Sequence, residues 1–186
     1  YPAFPYTSYA RMAPGDVSDL YAFLKTVPPV SGKAPPHELS FPFNIRRGLG
    51  LWKPLNLSPD PVVAAPAPGA DVDPDLWQRG RYLVEGPGHC SECHTPRDPI
   101  GGLDKSRWLT GAPAATGDGK VPGLDPGSDV GSWSAADIAY YLESGFTPEY
   151  DSVGGEMVEV QENMARLPAS DREAIAVYLK ALPSGS

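Results

Sequence analysis

Apolar positions fall three and four apart in several stretches of this sequence, and strict every-other-residue alternation is almost absent. Asp73 is placed to cap a helix that has Pro74 at its first position and Asp75 at its positive end. Leu76, Gly80, Leu83 and Val84 continue it with Trp77 and Tyr82 alongside, and Gly86-Pro87-Gly88 ends it. Ser134 and Asp137 read as a capping box opening a helix to about Ser144, with Ile138, Tyr141 and Leu142 on one side and Gly145 as its stop. Ser170 and Glu173 are expected to open the last helix by the same device. Its buried stripe is Ala174, Ile175, Val177, Tyr178 and Leu179, and Pro183 follows its end. A short helix is expected over 158–166. Together these elements predict an all-α fold with long loops.

The pattern also repeats. Ala10-Arg11-Met12-Ala13-Pro14-Gly15-Asp16 lines up with Ala165-Arg166-Leu167-Pro168-Ala169-Ser170-Asp171, at a constant offset of 171 − 16 = 155 residues. Continuing at that offset, Leu20, Phe23, Leu24, Lys25, Val27 and Pro28 face Ile175, Tyr178, Leu179, Lys180, Leu182 and Pro183. Residues 1–30 therefore read as the C-terminal piece of a unit related to residues 71–186. Residues 31–70 read as the connector, held stiff and extended by Pro35-Pro36 and by the alanine–proline run from Ala64 to Pro68. The chain starts with Tyr1, and no secretion signal stands at its start; a preceding N-terminal portion is expected.

Composition narrows the partners. Pro (23) and Gly (20) together make 43 of 186 residues, which excludes long uninterrupted helices and a large sheet. The net charge of −8 makes nucleic acid a poor partner, because binding phosphates needs a basic surface. No run of about 18 apolar residues is present, so no transmembrane segment is expected.

The two cysteines, Cys90 and Cys93, stand in the run His89-Cys90-Ser91-Glu92-Cys93-His94. Two thiols at i and i+3 on one helical turn can both reach the vinyl groups on one edge of a porphyrin. The next residue, His94, can then present its imidazole to the iron. C-x-x-C-H is the attachment signature of a c-type haem. A zinc site wants four ligands, usually with a second Cys/His pair, and His37 has no matching spacing. A thioredoxin-like redox pair wants a strand–helix–strand context, which the Gly- and Pro-rich surroundings lack. One covalent haem c is therefore expected, with the loop 95–131 wrapped on it.

The opposite face of such an iron takes Met, His or nothing. Of Met12, Met157 and Met164, Met157 follows Gly154-Gly155 and precedes a helix, which suits a ligand carried close to a flat cofactor. Met164 stands seven residues on, at packing spacing, and Met12 is opposite Leu167 in the repeat. His89 adjoins the attachment turn and His37 lies in the connector, so neither is placed for the far face.

Residues 74–183 resemble a class I cytochrome c domain. Arg79-Gly80-Arg81-Tyr82-Leu83 resembles that family's first helix, and Tyr178-Leu179 the aromatic pair on its last helix. The runs 86–97, 133–134, 151–157 and 167–172 closely resemble the multihaem cytochrome subunits of bacterial periplasmic dehydrogenases acting on alcohols, sugar acids and aldehydes. Residues 1–6 and 39–46 resemble the end of the first domain of those subunits and the connector after it. Phe4 stands where some members carry a Met that looks like an axial ligand, and no first C-x-x-C-H is present. The resemblance implies that the carbonyl of Pro122 accepts the other N–H of His94, and that Trp133 and Arg97 are candidates to pack on or pair with the haem propionates. It also implies electron transfer at the periplasm, from a dehydrogenase to a respiratory acceptor, in a chain that is not itself an enzyme. The rival expectation is a haem enzyme or gas sensor with a five-coordinate iron.

Overall fold

A computed structural model describes residues 4–114 and 118–183. In chain order its helices are α1 (Tyr6–Tyr9), α2 (Pro14–Leu24), α3 (Leu49–Asn56), α4 (Pro74–Glu85), α5 (Ser91–His94), α6 (Asp129–Ser132), α7 (Ala135–Ser144), α8 (Met157–Met164) and α9 (Ala169–Lys180). Two short strands, β1 (Ala112–Pro113) and β2 (Lys120–Val121), pair antiparallel with Ala112 opposite Val121. The all-α expectation holds apart from this small ladder, which lies within the loop 95–131.

The core is the crossing of α4 with α9, against which α7 and then α8 pack. Asp73 caps α4 by accepting from the amides of Asp75 and Leu76, each at 2.9 Å. The helix then buries Trp77, Gly80, Leu83 and Val84, and α9 buries Ala174, Ile175, Ala176, Tyr178 and Leu179. Each large apolar side chain removed from water here contributes about 1.5–3 kcal/mol. The crossing is closest at Gly80, where an added Cβ would lie 1.9 Å from the Ala174 carbonyl oxygen. Only a glycine lets the two backbones meet at that distance.

The capping box of α7 forms: Ser134 accepts from the Asp137 amide, and the Asp137 carboxylate accepts from the Ser134 amide. The expected box at Ser170 does not. The N-cap of α9 is Pro168, with no side-chain cap. The extended backbone of Pro168 turns its carbonyl to the amides of Asp171 and Arg172, at 3.0 and 3.4 Å, which starts the helix without help from Ser170. The short helix begins at Met157, one residue earlier than expected, and ends at Met164. The connector is not extended throughout, because α3 lies within it and carries Pro54 in its last turn. Trp52 on α3 donates its indole N–H to the Ile100 carbonyl at 3.0 Å, so tertiary contact stabilises a turn that Pro54 alone would discourage.

Candidate cofactor site

The cysteine turn is anchored to the end of α4. After Glu85 the chain reverses, with the Gly88 amide donating to the Leu83 carbonyl at 2.8 Å and the Cys90 amide to the Val84 carbonyl at 3.3 Å. α5 is a single turn, closed by the His94 amide on the Cys90 carbonyl at 3.0 Å. That turn makes Cys90 and Cys93 neighbours on one side. Both cysteines are free; Cys90 is half-buried and Cys93 exposed. Burial pushes the Cys90 thiol up to about 11. Cys93 is also raised, by burial first and then by the carboxylates of Glu156 and Glu92. Between the cysteines, the buried Ser91 hydroxyl has no hydrogen-bond partner among the described residues.

His94 is buried, and its Nδ1 lies 2.8 Å from the Pro122 carbonyl oxygen. A carbonyl can only accept, so Nδ1 carries the proton and the lone pair resides on Nε2. Burial lowers the His94 pKa, and the bond to Pro122 opposes this in part. The neutral imidazole that can bind a metal is therefore the favoured form. The loop that carries Pro122 is fastened to the turn. The Gly111 amide donates to the His94 carbonyl at 2.8 Å, the Leu109 amide to the Thr95 hydroxyl at 2.9 Å, and the Leu124 amide to the Leu109 carbonyl at 2.7 Å. Gly111 has φ +87°, and a Cβ there would lie 2.8 Å from the Val121 carbonyl oxygen, so no other residue holds this approach without strain.

Met157 opens α8, half-buried against the core, after Gly155 at φ +59°. Its neighbour Glu156 is near enough to Cys93 to raise that thiol's pKa. Met164 is also half-buried against the core, as its spacing implies. Trp133 is half-buried and meets Tyr141 edge-on at 5.4 Å. Arg97 is committed to the cysteine turn, donating to the Glu92 carboxylate at 2.7 Å and to the Gly101 carbonyl at 3.1 Å. Phe4 is exposed, His37 is exposed in the connector, and His89, at φ 39°, meets Tyr9 edge-on at 5.9 Å.

Sequence reasoning missed what covers the turn. Thr7 and Ser8 of α1 both donate to Glu92, at 2.7 and 3.0 Å. Glu85, at the end of α4, is fully buried and accepts from the Val62 and Val63 amides of the connector. A faint signal existed: a carboxylate in the last turn of a helix opposes the helix dipole, so its presence there implies a partner outside the helix.

The donor set fits a covalently attached haem. It offers two free thiols one turn apart, a buried imidazole with Nε2 available, and a thioether at the mouth of α8. Among the described residues no group of three or more His, Cys, Asp or Glu could hold a metal ion, so the zinc alternative gains no support.

No family model matches the chain. It is 54 % identical over 184 residues to a diheme cytochrome c-type protein of Cereibacter sphaeroides, an alignment covering 99 % of this chain and 60 % of that relative. It is 38 % identical over 192 residues to the fructose dehydrogenase cytochrome subunit of Gluconobacter japonicus, covering 99 % of this chain and 37 % of the relative. It is 40 % identical over 195 residues to the cytochrome c subunit of the quinone alcohol dehydrogenase of Gluconacetobacter polyoxogenes, covering 98 % and 40 %. The chain thus spans between 37 % and 60 % of the length of these relatives, while nearly all of it aligns. Over nearly its whole length the chain is a homologue of a diheme c-type cytochrome and of the cytochrome c subunits of bacterial dehydrogenases.

Proposed function

We propose that this chain carries one covalent c-type haem and relays electrons from a dehydrogenase to a respiratory acceptor on the periplasmic side. Cys90 and Cys93 would form the thioethers, and His94 through Nε2 and Met157 through its sulfur would hold the iron. The bound group supplies a reversible one-electron couple at its iron. The observation that carries the reading is the 2.8 Å contact of His94 Nδ1 with the Pro122 carbonyl beside a C-x-x-C turn. It fixes the tautomer and the ring orientation that a ligand to iron needs. Arg97 acts through the turn, holding Glu92, and Trp133 packs beside the cofactor.

Residues 1–30 belong to a preceding cytochrome-like unit. In support, α2 and α9 begin at the same register of the repeat, Pro14 and Ala169, and α2 leaves its apolar side exposed. Among the described residues no helix is long and apolar enough to cross a membrane.

The experiment is an absorption spectrum of the purified holoprotein with and without carbon monoxide. A haem that resists acid-acetone extraction, a weak oxidised band near ~695 nm from sulfur ligation, and no carbon monoxide binding are expected. Met157→Ala abolishes the band and admits carbon monoxide; Met164→Leu does neither. Ready carbon monoxide binding by the unaltered protein would instead establish an open iron and the enzyme or sensor reading.

A further inference from the structure

One buried carboxylate outside the cofactor ligands gathers groups from three other parts of the chain. Glu85 is 1 % exposed. Its Oε2 accepts from the Val62 amide at 2.6 Å, and its Oε1 from the Val63 amide at 3.1 Å and the Tyr178 hydroxyl at 2.8 Å. Tyr178 in turn accepts from the Trp108 indole at 3.2 Å. Arg11, from the segment between α1 and α2, places Nε 3.7 Å from Oε2, and both side chains are almost fully buried. That same Nε spends its hydrogen bond on the Asp60 carbonyl at 2.8 Å, and Nη1 donates to the Thr7 carbonyl.

Among the described residues, the groups bonded to or paired with Glu85 are two amides, one hydroxyl and one cation. The bonds come mainly from neutral donors, while Arg11 adds attraction at a distance too long for a strong hydrogen bond. Two backbone amides of the connector and one cation of the N-terminal segment are thereby fixed to the last residue of α4, the element that launches the cysteine turn.

We infer that Glu85 is a charged latch: it seats the N-terminal segment and the 60–63 stretch of the connector on the cysteine turn, and its fixed negative charge favours the oxidised state of the group bound there. The inference rests on the electron-transfer reading for its second half only. Glu85 is a positioning residue, since it touches neither thiol nor axial ligand. Its latch role joins the segment assigned to a preceding unit to the unit that holds the cofactor, which fixes the separation across which electrons would pass. Its charge role has a sign. Removing a nearby anion destabilises ferric iron relative to ferrous and raises the potential, and removing the cation Arg11 lowers it.

The test uses the full holoprotein and two readouts, hydrogen exchange by mass spectrometry and the midpoint potential. Glu85→Gln should accelerate exchange in 5–16 and 60–64 on the order of tenfold, the loss expected when a charged hydrogen-bond partner becomes neutral. Exchange across 135–144 should stay unchanged, and the potential should rise. Arg11→Met should accelerate the same segments and lower the potential. A merely structural role would move exchange in both variants and shift the potential in neither or in one common direction; that result overturns the inference, as does unchanged exchange. If Glu85→Gln gives no holoprotein, Arg11→Met decides alone: faster exchange with a lowered potential supports the latch, and either readout unmoved overturns it. An unaltered protein with no reversible one-electron wave would sink the electron-transfer reading, while exchange in the two variants would still test the latch.

Discussion

α2 and α9 carry related sequences and lead opposite lives. At the shared register, Phe23 corresponds to Tyr178 and Leu24 to Leu179, yet Phe23 and Leu24 are 63 % and 56 % exposed where Tyr178 and Leu179 are 0 % and 5 %. Val17, Leu20, Tyr21 and Val27 are exposed as well. Both helices start after an extended residue without a side-chain cap, Ala13 and Pro168. The difference therefore lies in what is packed against each helix and not in how it forms. α9 has α4, with Gly80 cut to admit it. α2 meets α4 at its start, where Asp16 accepts from the Tyr82 hydroxyl and Tyr82 accepts from the Ala13 amide. A contiguous run of exposed apolar side chains of this kind marks a surface meant to be covered.

The sharpest way to break the comparison is to truncate the corresponding leucines. Leu179→Ala should cost about 2–5 kcal/mol, as buried leucine truncations do. Leu24→Ala should cost no more than about 0.5 kcal/mol in this chain. Urea unfolding of each variant checks both. In a longer natural protein that supplies the missing partner, the Leu24→Ala cost should climb toward that of Leu179→Ala. If it stays near zero there, α2 is not the last helix of a second packed unit.

This contrast also explains what the sequence made legible. The α4 cap, the α7 capping box and the C-x-x-C-H turn are local patterns, and the chain folds them where they stand. The Pro122 carbonyl was reached only through the family resemblance, since nothing local pairs a loop proline with a histidine 28 residues away. Burial was not legible at all for α2, whose stripe is as apolar as that of α9. Nor were the polar partners: buried Glu85, half-buried Glu92 with buried Thr7 and Ser8, and Arg172, which is buried and donates to the Ala165 carbonyl at 3.3 Å while pairing with Glu143 at 3.1 Å. Their partners are distant in sequence, and side-chain identity alone does not name them.

Gly80→Ala tests why α9, and not α2, fits α4. Forcing a Cβ to within 1.9 Å of the Ala174 oxygen must spread the two helices. Overpacking of this kind costs about 3 kcal/mol, and alanine returns about 1 kcal/mol of helix propensity. A net loss of about 2 kcal/mol is expected by thermal or urea unfolding. The alternative outcome, a gain near 1 kcal/mol, would mean that the crossing is looser than its geometry implies.

Tyr178→Phe should follow, at about 1–2 kcal/mol. The change strips one donor from Glu85 and the acceptor from the Trp108 indole, leaving buried polar atoms short of a partner. The loss stays modest because the Val62 and Val63 amides still serve the carboxylate. Phe23, the corresponding residue, already lacks the hydroxyl, so Phe23→Tyr on exposed α2 should change stability by less than about 0.5 kcal/mol.

The smallest effect is expected where the two helices are most alike. Asp171 on α9 and Asp16 on α2 occupy the same register, and both reach α4. Asp171 takes a two-pronged bond from Arg79, with both N···O distances 2.8 Å, and Asp16 takes the Tyr82 hydroxyl. The Arg79 hydrogen bond holds the Asp171 carboxyl below its ordinary value of 3.8. The pair is near the surface, with the Arg79 side chain 47 % exposed, so solvent screening limits its worth to under about 1 kcal/mol. Because the folded-state pKa is the lower one, the contribution is present above about 3.8 and is lost as the pH falls through the folded value. Asp171→Asn should therefore lower stability slightly at neutral pH, and the gap to the unaltered protein should close in acid. Asp16→Asn should cost no more, since an amide oxygen can still accept from Tyr82. Unfolding curves for both variants at pH ~7 and pH ~3 decide the point. A gap at Asp171 that widens in acid would show that the Arg79 clamp does not stabilise the carboxylate, and the electrostatic part of the α4–α9 contact would then have to be sought elsewhere.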